Sequence, residues 1–450
     1  VGETTIPNGI AAVILVAVLA GLTIVAVRID RQGALPSVLH NAVWAVTLLL
    51  VGSNLIAYRE ASPVAWGILL VGLVFFNLGS WWGTAWGARR IARLPLPPAD
   101  KSIAIVGRTT LGILLAAYAV GFATYLLVIA GRFGLATLFT DPVSIRSATD
   151  SYLASVPLWA RLLLYVGPFL VAVAVVPRSI RGGLSVWWRA AIVVAVGASM
   201  LLLLQRTNLF TAVLWAIAAL YLATRRSAAP DPHARRRARR PLAIAGAVAG
   251  LAVVAVLAFQ LLGAALGKTG DWQAARETVS PALAQSGLMS PFVYLTAGTP
   301  AFLALTSSDN VAWPRADGAR VIYGDYNPQT WGAALFEGPL SIIPGARPWN
   351  PVAPFVDVGT LTNVYTWFEP FYRDFRELGV AAGALAMGLL IGYMYRTRAL
   401  SPARFWLSAL LVSTIFLAPF VQKLHTTLYL ASAGVVILCA VARRRRSVDG

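Results

Sequence analysis

Stretches of about 20 residues with few or no charges recur along this chain from one end to the other. That is the length an α-helix needs to cross the roughly 30 Å hydrocarbon core of a bilayer. A 20-residue window predicts spans near 8–28, 37–57, 63–87, 105–130, 158–177, 185–204, 208–224, 241–263, 378–395, 404–421 and 426–442, eleven in all. The chain is 58% hydrophobic and only 12% charged, roughly half the charged fraction of an average soluble domain. The expectation is an all-α polytopic membrane protein. The segment 8–28 lacks the basic leader and small-residue cleavage site of a signal peptide, so it reads as a span.

The Lys/Arg distribution predicts which way the spans run. The connections RIDRQ (28–32), RRIARLPLPPADK (89–101), PRSIRGG (177–183), RRSAAPDPHARRRARR (225–240), YRTRALSPAR (395–404) and RRRR (443–446) are all basic. If the eleven spans alternate, all six fall on one side. By the positive-inside bias that side is the cytoplasm, with the N-terminus outside and the C-terminus inside. The formal charge of +19 is thereby placed in short loops beside the membrane, where it touches anionic lipid. This pattern argues against a nucleic-acid partner. The single cysteine, Cys439, lies in an apolar run and builds neither a disulfide framework nor a thiolate metal site.

These spans divide the chain into an N-terminal bundle of about eight helices (1–263), one large extracytoplasmic loop (264–377), and three C-terminal helices with a basic tail (378–450). The loop holds ten of the eighteen acidic residues, Glu337, Glu369 and Asp374 among them. It also carries Arg276, Arg315, Arg320 and Arg373. Gly and Pro punctuate it, and loops this long are usually functional. Two apolar patches, 290–306 and 332–343, are too short to span and are expected to lie on the membrane surface or against the bundle. Trp272, Trp313, Trp331, Trp349 and Trp367 are interleaved with the charges. Flat aromatic faces beside hydrogen-bonding groups suit sugar rings or lipid headgroups, although an interfacial aromatic belt has the same composition.

Individual residues sharpen this picture. Arg206, in LLLLQRTNLF, sits at the outer edge of a span, where a charge costs on the order of 3 kcal/mol and is a functional candidate by default. Its planar fork suits a phosphate group, and the alternative is a tight turn with the guanidinium snorkelling outward. His425, in FVQKLHTTLYL, is the only histidine on the predicted outer face, since His40 lies in an early span and His233 in the basic stretch. No metal-ligand spacing, P-loop or GxSxG is present, so no protein-built metal site is expected. In NVYTWFEPFYRDFRELG (363–379), helical spacing pairs Glu369 with Arg373 and Arg373 with Glu377. The same spacing sets Trp367, Phe371 and Asp374 on one face. A carboxylate beside an aromatic platform, from Asp374 or Glu369, is suited to grip or deprotonate an acceptor hydroxyl.

This stretch, followed at once by a span, resembles the bacterial O-antigen and oligosaccharide repeat-unit polymerases of the Wzy type. The resemblance rests on Asn363, Tyr365, Thr366, Asp374, Phe375 and Gly379, with Arg206-Thr207 similar to the family's second signature. It implies a GT-C-like glycosyltransferase of the bacterial plasma membrane that uses neither a nucleotide sugar, a metal nor another cofactor. Such an enzyme moves a glycan from a polyprenyl pyrophosphate onto a new lipid-linked repeat unit, with membrane lipid and a chain-length regulator as further partners. Arg206 and Arg276 would hold the pyrophosphate, with Arg315 or Arg320 as substitutes; Arg276 also begins an R-x10-G spacing ending at Gly287. Asn363, Tyr365, Thr366, Trp367, Tyr372 and Arg373 would line the substrate. Related ligases place a histidine in the large loop and this chain does not. The base is then His425, Asp374 or Glu369, or none is needed.

Two other classes remain. A glycosyltransferase using polyprenyl monophosphate sugars usually has an acidic pair in its first outer loop, where this chain has only Glu60 in YREASP. A lipid or polysaccharide transporter should bury charges within its spans, whereas Arg108, Arg161 and Arg189 lie near predicted span edges.

Overall fold

The computed structural model describes residues 5–94, 103–147, 155–203, 206–226, 278–307, 312–314, 320–322, 331–340, 343 and 356–448. The predicted span 241–263, most of the basic stretch 225–240, and Arg276 and Arg315 lie outside these residues. The chain is mostly helical. Among the described residues, six helical segments are long and apolar enough to cross a membrane: Asn8–Ile29, Leu35–Gly52, Pro63–Ile91, Arg108–Phe133, Leu158–Val175 and Glu369–Thr397. Shorter apolar helices cover Val186–Leu202, Asn208–Thr224, Pro402–Ile415 and Thr427–Arg443. Asn8–Ile29 is apolar on every side, leaving Ile10, Val13, Ile14 and Ile24 exposed. Such a surface suits lipid and not water.

Prolines explain two departures from the expected spans. The segment expected at 158–177 is two helices, Leu158–Leu164 and Gly167–Val175. Pro168 cannot donate to the preceding turn and opens the second helix instead. The span expected at 404–421 stops at Ile415. There Leu417, Ala418 and Phe420 turn through hydrogen bonds to the residues three before them. Pro419 biases Ala418 away from helix, and the turn leaves the Ala418 carbonyl free for another partner.

The chain forms two compact units. The first comprises 1–90, 269–396 and 414–427, and the second 91–268, 397–413 and 428–450. Each draws on more than one of the three sequence segments. In the second unit Phe169, Trp215 and Trp406 meet at 5.6–6.3 Å between ring centroids. Both indoles are satisfied: Trp215 Nε1 donates to Trp406 O and Trp406 Nε1 to Ile103 O. Two short strands, Val106–Gly107 and Ile180–Arg181, pair in parallel, and the Arg108 guanidinium donates to the carbonyls of Gly182 and Gly183.

The first unit has two distinct ends. At one, Arg396 bridges to Asp30 (3.7 Å) and donates to Gln32, beside the ends of helices that also carry Arg28, Arg89 and Arg90. At the other, the non-helical segments collect. Ile6 pairs with Ala61 and Ile56 with Val279. Arg59 N–H donates to Val358 O, Trp367 N–H to Ala418 O, and Tyr58 Oη meets Thr296 Oγ1 at 2.5 Å. The helix Gly298–Ser307, which overlaps the apolar patch at 290–306, packs into this unit with Phe302, Leu303 and Leu305 buried.

Between the two ends, glycines let helices touch through their backbones. Gly79 and Gly83 face the carbonyls of Leu385 and Leu389, while Gly388 and Gly392 face those of Phe76 and Ser80. The pairs advance together along both chains, so Pro63–Ile91 and the later part of Glu369–Thr397 run parallel. Nearby, Asn41 and Asn77 exchange amide hydrogen bonds of 3.1 and 2.8 Å inside the apolar core, and Asn41 also donates to Thr23. Asn41→Leu takes away the donor to Asn77 Oδ1, leaves Asn77 Nδ2 only the Leu73 carbonyl, and should lower stability by about 1 kcal/mol. Asn41→Leu with Asn77→Leu should recover part of that loss. Thermal unfolding in detergent, run as a double-mutant cycle, measures the coupling.

Candidate functional site

The stretch 363–379 is built from three local events. Thr366 ends an extended segment and caps the helical turn after it: its Oγ1 accepts the Phe368 N–H and its carbonyl accepts the Glu369 N–H. A short helical piece then carries Glu369, Arg373 and Asp374. Non-helical backbone at Phe375 (φ −140°, ψ 20°) and Arg376 (φ 54°, ψ −142°) breaks it before the long helix resumes. Arg376 occupies a region that disfavours any residue with a Cβ, and its guanidinium lies 5.3 Å from the Tyr372 ring. At this break the chain folds closely on itself. A Cβ on Gly379 would collide with the Phe371 carbonyl and one on Gly383 with the Phe371 ring.

Five of the six aromatics of this stretch are core, not an open platform; Phe375 is exposed. Trp367, Phe368, Phe371 and Tyr372 are buried, as is Tyr365. Trp367 packs on His40 (5.6 Å) and Phe76 (5.3 Å), and Phe368 on Trp44 (5.7 Å). Burial, then the charge of Glu369, pushes the Tyr365 phenol well above its ordinary value, so it acts as a neutral group. Glu369 and Arg373 form the expected pair at 3.6 Å, both nearly inaccessible. Helical spacing from Arg373 to Glu377 does not continue across the break, and Glu377 is exposed.

Asp374 is fully buried, at 0% exposure. Its Oδ1 accepts the Ala334 N–H (3.2 Å) and its Oδ2 the Leu335 N–H (3.0 Å). The carboxylate therefore serves the segment 331–340. That segment delivers Glu337, whose Oε2 lies 3.0 Å from His425 Nε2. A backbone bond from Gly338 N–H to His425 O (2.9 Å) closes the same junction. An ionised Glu337 carboxylate can only accept, so Nε2 is the donor in this contact. Nδ1 is buried and, among the described residues, has no hydrogen-bond partner.

Charge gathers around this dyad. Burial alone would raise the Glu337 carboxyl, but the His425 hydrogen bond and the charges of His425, Lys423 and Arg373 outweigh it and hold it below the usual value. Burial pushes the Lys423 ammonium below its ordinary value, against the pull of Glu337. Desolvated cations beside a histidine–carboxylate pair can receive an anion, and the imidazole can accept a proton from a hydroxyl.

No family model, curated protein or solved structure matches this chain. The site is therefore read from its own geometry. Its members come from one unit and from segments far apart in sequence: 331–340, 363–374 and 416–427. Of the predicted residues, it brings together Tyr365, Thr366, Trp367, Glu369, Tyr372, Arg373, Asp374 and His425. Asn363 is half-buried in the extended approach to Thr366. Arg206 opens the helix Arg206–Arg226 of the second unit, and Arg320 begins a short strand paired with Ala312–Pro314. Among the described residues no group of three or more His, Cys, Asp or Glu could hold a metal ion. Sequence reasoning missed Glu337 as a site residue, although a lone acid within the apolar patch 332–343 is a signal in itself.

The folded-state pKa of Glu337 is depressed. Its contribution to stability is therefore present above the unfolded glutamate value and lost as pH falls through the lower, folded one. The thermal stability gap between wild type and Glu337→Gln should be full near neutrality and close on acidification through that window.

Proposed function

We propose that this chain is a multi-pass glycosyltransferase of the bacterial plasma membrane. It joins polyprenyl-pyrophosphate-linked oligosaccharide repeat units at the outer face. The observation that carries this reading is the Glu337–His425 dyad beside Lys423 and Arg373, since a polymerase of this kind needs a base for an acceptor hydroxyl and cations for a departing pyrophosphate. His425 Nδ1 takes the hydroxyl proton as the acceptor oxygen bonds to the anomeric carbon. The bond from that carbon to the pyrophosphate oxygen breaks, and the electron pair leaves on the polyprenyl pyrophosphate. Glu337 orients the imidazole and stabilises it once protonated. Lys423 meets the charge developing on the leaving group, the task that the resemblance assigns to Arg206 and Arg276.

The layout supports the same reading. The segments 58–62, 278–307, 331–340, 356–368 and 422–425, which the alternation of eleven spans assigns to the outside, assemble at one end of the first unit. The opposite end carries Arg28, Arg89, Arg90 and Arg396, as the positive-inside bias asks of a cytoplasmic face. Pro63–Ile91 and Glu369–Thr397 run parallel, as spans three and nine of such a chain must.

The test is an assay of the purified protein in nanodiscs with a lipid-linked oligosaccharide. New glycosidic bonds with release of polyprenyl pyrophosphate support the reading. Movement of the substrate across a vesicle without bond formation would make the chain a transporter, and use of polyprenyl monophosphate sugars would make it the other transferase class. Arg206→Ala should lower turnover more than binding, read as kcat against KM.

A further inference from the structure

We infer that Asp374 is a positioning residue that acts through the segment 331–340 to hold Glu337 against His425. The functional meaning of this inference rests on the glycosyltransferase reading, but its geometry does not. Both Asp374 oxygens accept backbone N–H groups, from Ala334 and Leu335, and the side chain is fully enclosed. Three residues beyond Leu335, Gly338 N–H donates to the His425 carbonyl. Glu337 thus lies between two anchors, one on the short helix 369–374 and one on the histidine's own backbone.

The segment needs such anchors because its backbone turns sharply. Trp331 (φ 48°) and Gly332 (φ 100°) are left-handed, and only Glu337–Leu340 is helical. An ionised carboxylate accepting two amide donors makes charge-assisted bonds, roughly twice as strong as neutral ones. An asparagine in its place offers one acceptor oxygen, and its NH2 group faces the second N–H donor. The break at Phe375–Arg376 orients this anchor by ending the short helix directly after Asp374, and Trp331 packs edge-on against Phe375 at 6.4 Å.

Two measurements on the full-length protein in detergent test the inference without any substrate. The first is the rate at which diethyl pyrocarbonate modifies His425, resolved by peptide mass spectrometry. The second is amide hydrogen exchange across 331–340. Asp374→Asn and Glu337→Ala should each raise His425 modification by about tenfold, the factor implied by losing one charge-assisted hydrogen bond. The double variant should add nothing further. Exchange at Ala334 and Leu335 should rise in Asp374→Asn and stay near wild type in Glu337→Ala. Wild-type His425 reactivity in Asp374→Asn, or additive effects in the double variant, would overturn the positioning role. Should Asp374→Asn fail to accumulate, Ala334→Pro removes one of the two donors while keeping the Asp374 side chain, and the same outcomes apply. Failure of this pattern leaves glycosyl transfer standing. An intact pattern in a protein that forms no glycosidic bond removes the glycosyltransferase reading alone.

Discussion

His425→Ala is expected to lower the rate of the proposed glycosyl transfer by about 10²–10⁴-fold, the range for loss of a positioned general base, with little change in apparent affinity for the proposed lipid-linked donor. The reason for the split is geometric. The task proposed for His425 is to take the hydroxyl proton, so its removal acts on the proton in flight and not on docking. Glu337→Gln should cost less, since glutamine can still reach Nε2 while failing to stabilise an imidazolium. The two losses should be strongly non-additive, because Glu337 acts through the ring that His425→Ala deletes. Steady-state rates for the two single variants and the double variant decide this. If His425→Ala retains wild-type turnover, the base lies elsewhere and the dyad is a structural clasp.

How much of this site was legible in the sequence depends on the range of the interaction that made it. Apolar runs are local properties, so the helices Asn8–Ile29, Pro63–Ile91 and Arg108–Phe133 sit close to their expected limits. The ion pair of Glu369 with Arg373 is a four-residue spacing and was equally readable. His425 and Glu337 are 88 residues apart. No spacing rule joins them, because the link runs through the turn at Trp331–Gly332 and the Asp374 anchor. The stretch 363–379 misled in an instructive way. Its density of aromatics is real, but composition does not distinguish a ring that stacks on a sugar from one that packs against His40 and Phe76. Three of the five charges there are likewise turned inward: Asp374 organises backbone and Glu369 pairs with Arg373, while Glu377 stays exposed. The expensive groups ahead of this span hold together an end of the bundle assembled from several loops.

Glycine placement was written in the sequence and carries the second large effect. Gly79, Gly83 and Gly87 repeat at four-residue intervals, as do Gly388 and Gly392, and small residues at that spacing let membrane helices approach closely. Gly83→Leu should leave almost no monodisperse folded protein, and Gly83→Ala should cost about 1–3 kcal/mol, the range for overpacking. The obstacle is backbone: a Cβ on Gly83 would meet the Leu389 carbonyl and the Tyr393 amide nitrogen, and neither can rotate away as a side-chain tip would. The control lies in the same chain. A Cβ on Gly21 or Gly112 meets nothing within 4 Å, so alanine there should be neutral or stabilising by up to about 1 kcal/mol through helix propensity. Thermal unfolding in detergent ranks the four variants. The helix that Gly83 presses against begins with the piece bearing Arg373 and Asp374, so forcing the pair apart should also loosen Glu337 from His425. Equal stability of Gly83→Ala and Gly112→Ala would mean that these two helices do not meet through their backbones, and the site would then lack the support on which its geometry depends.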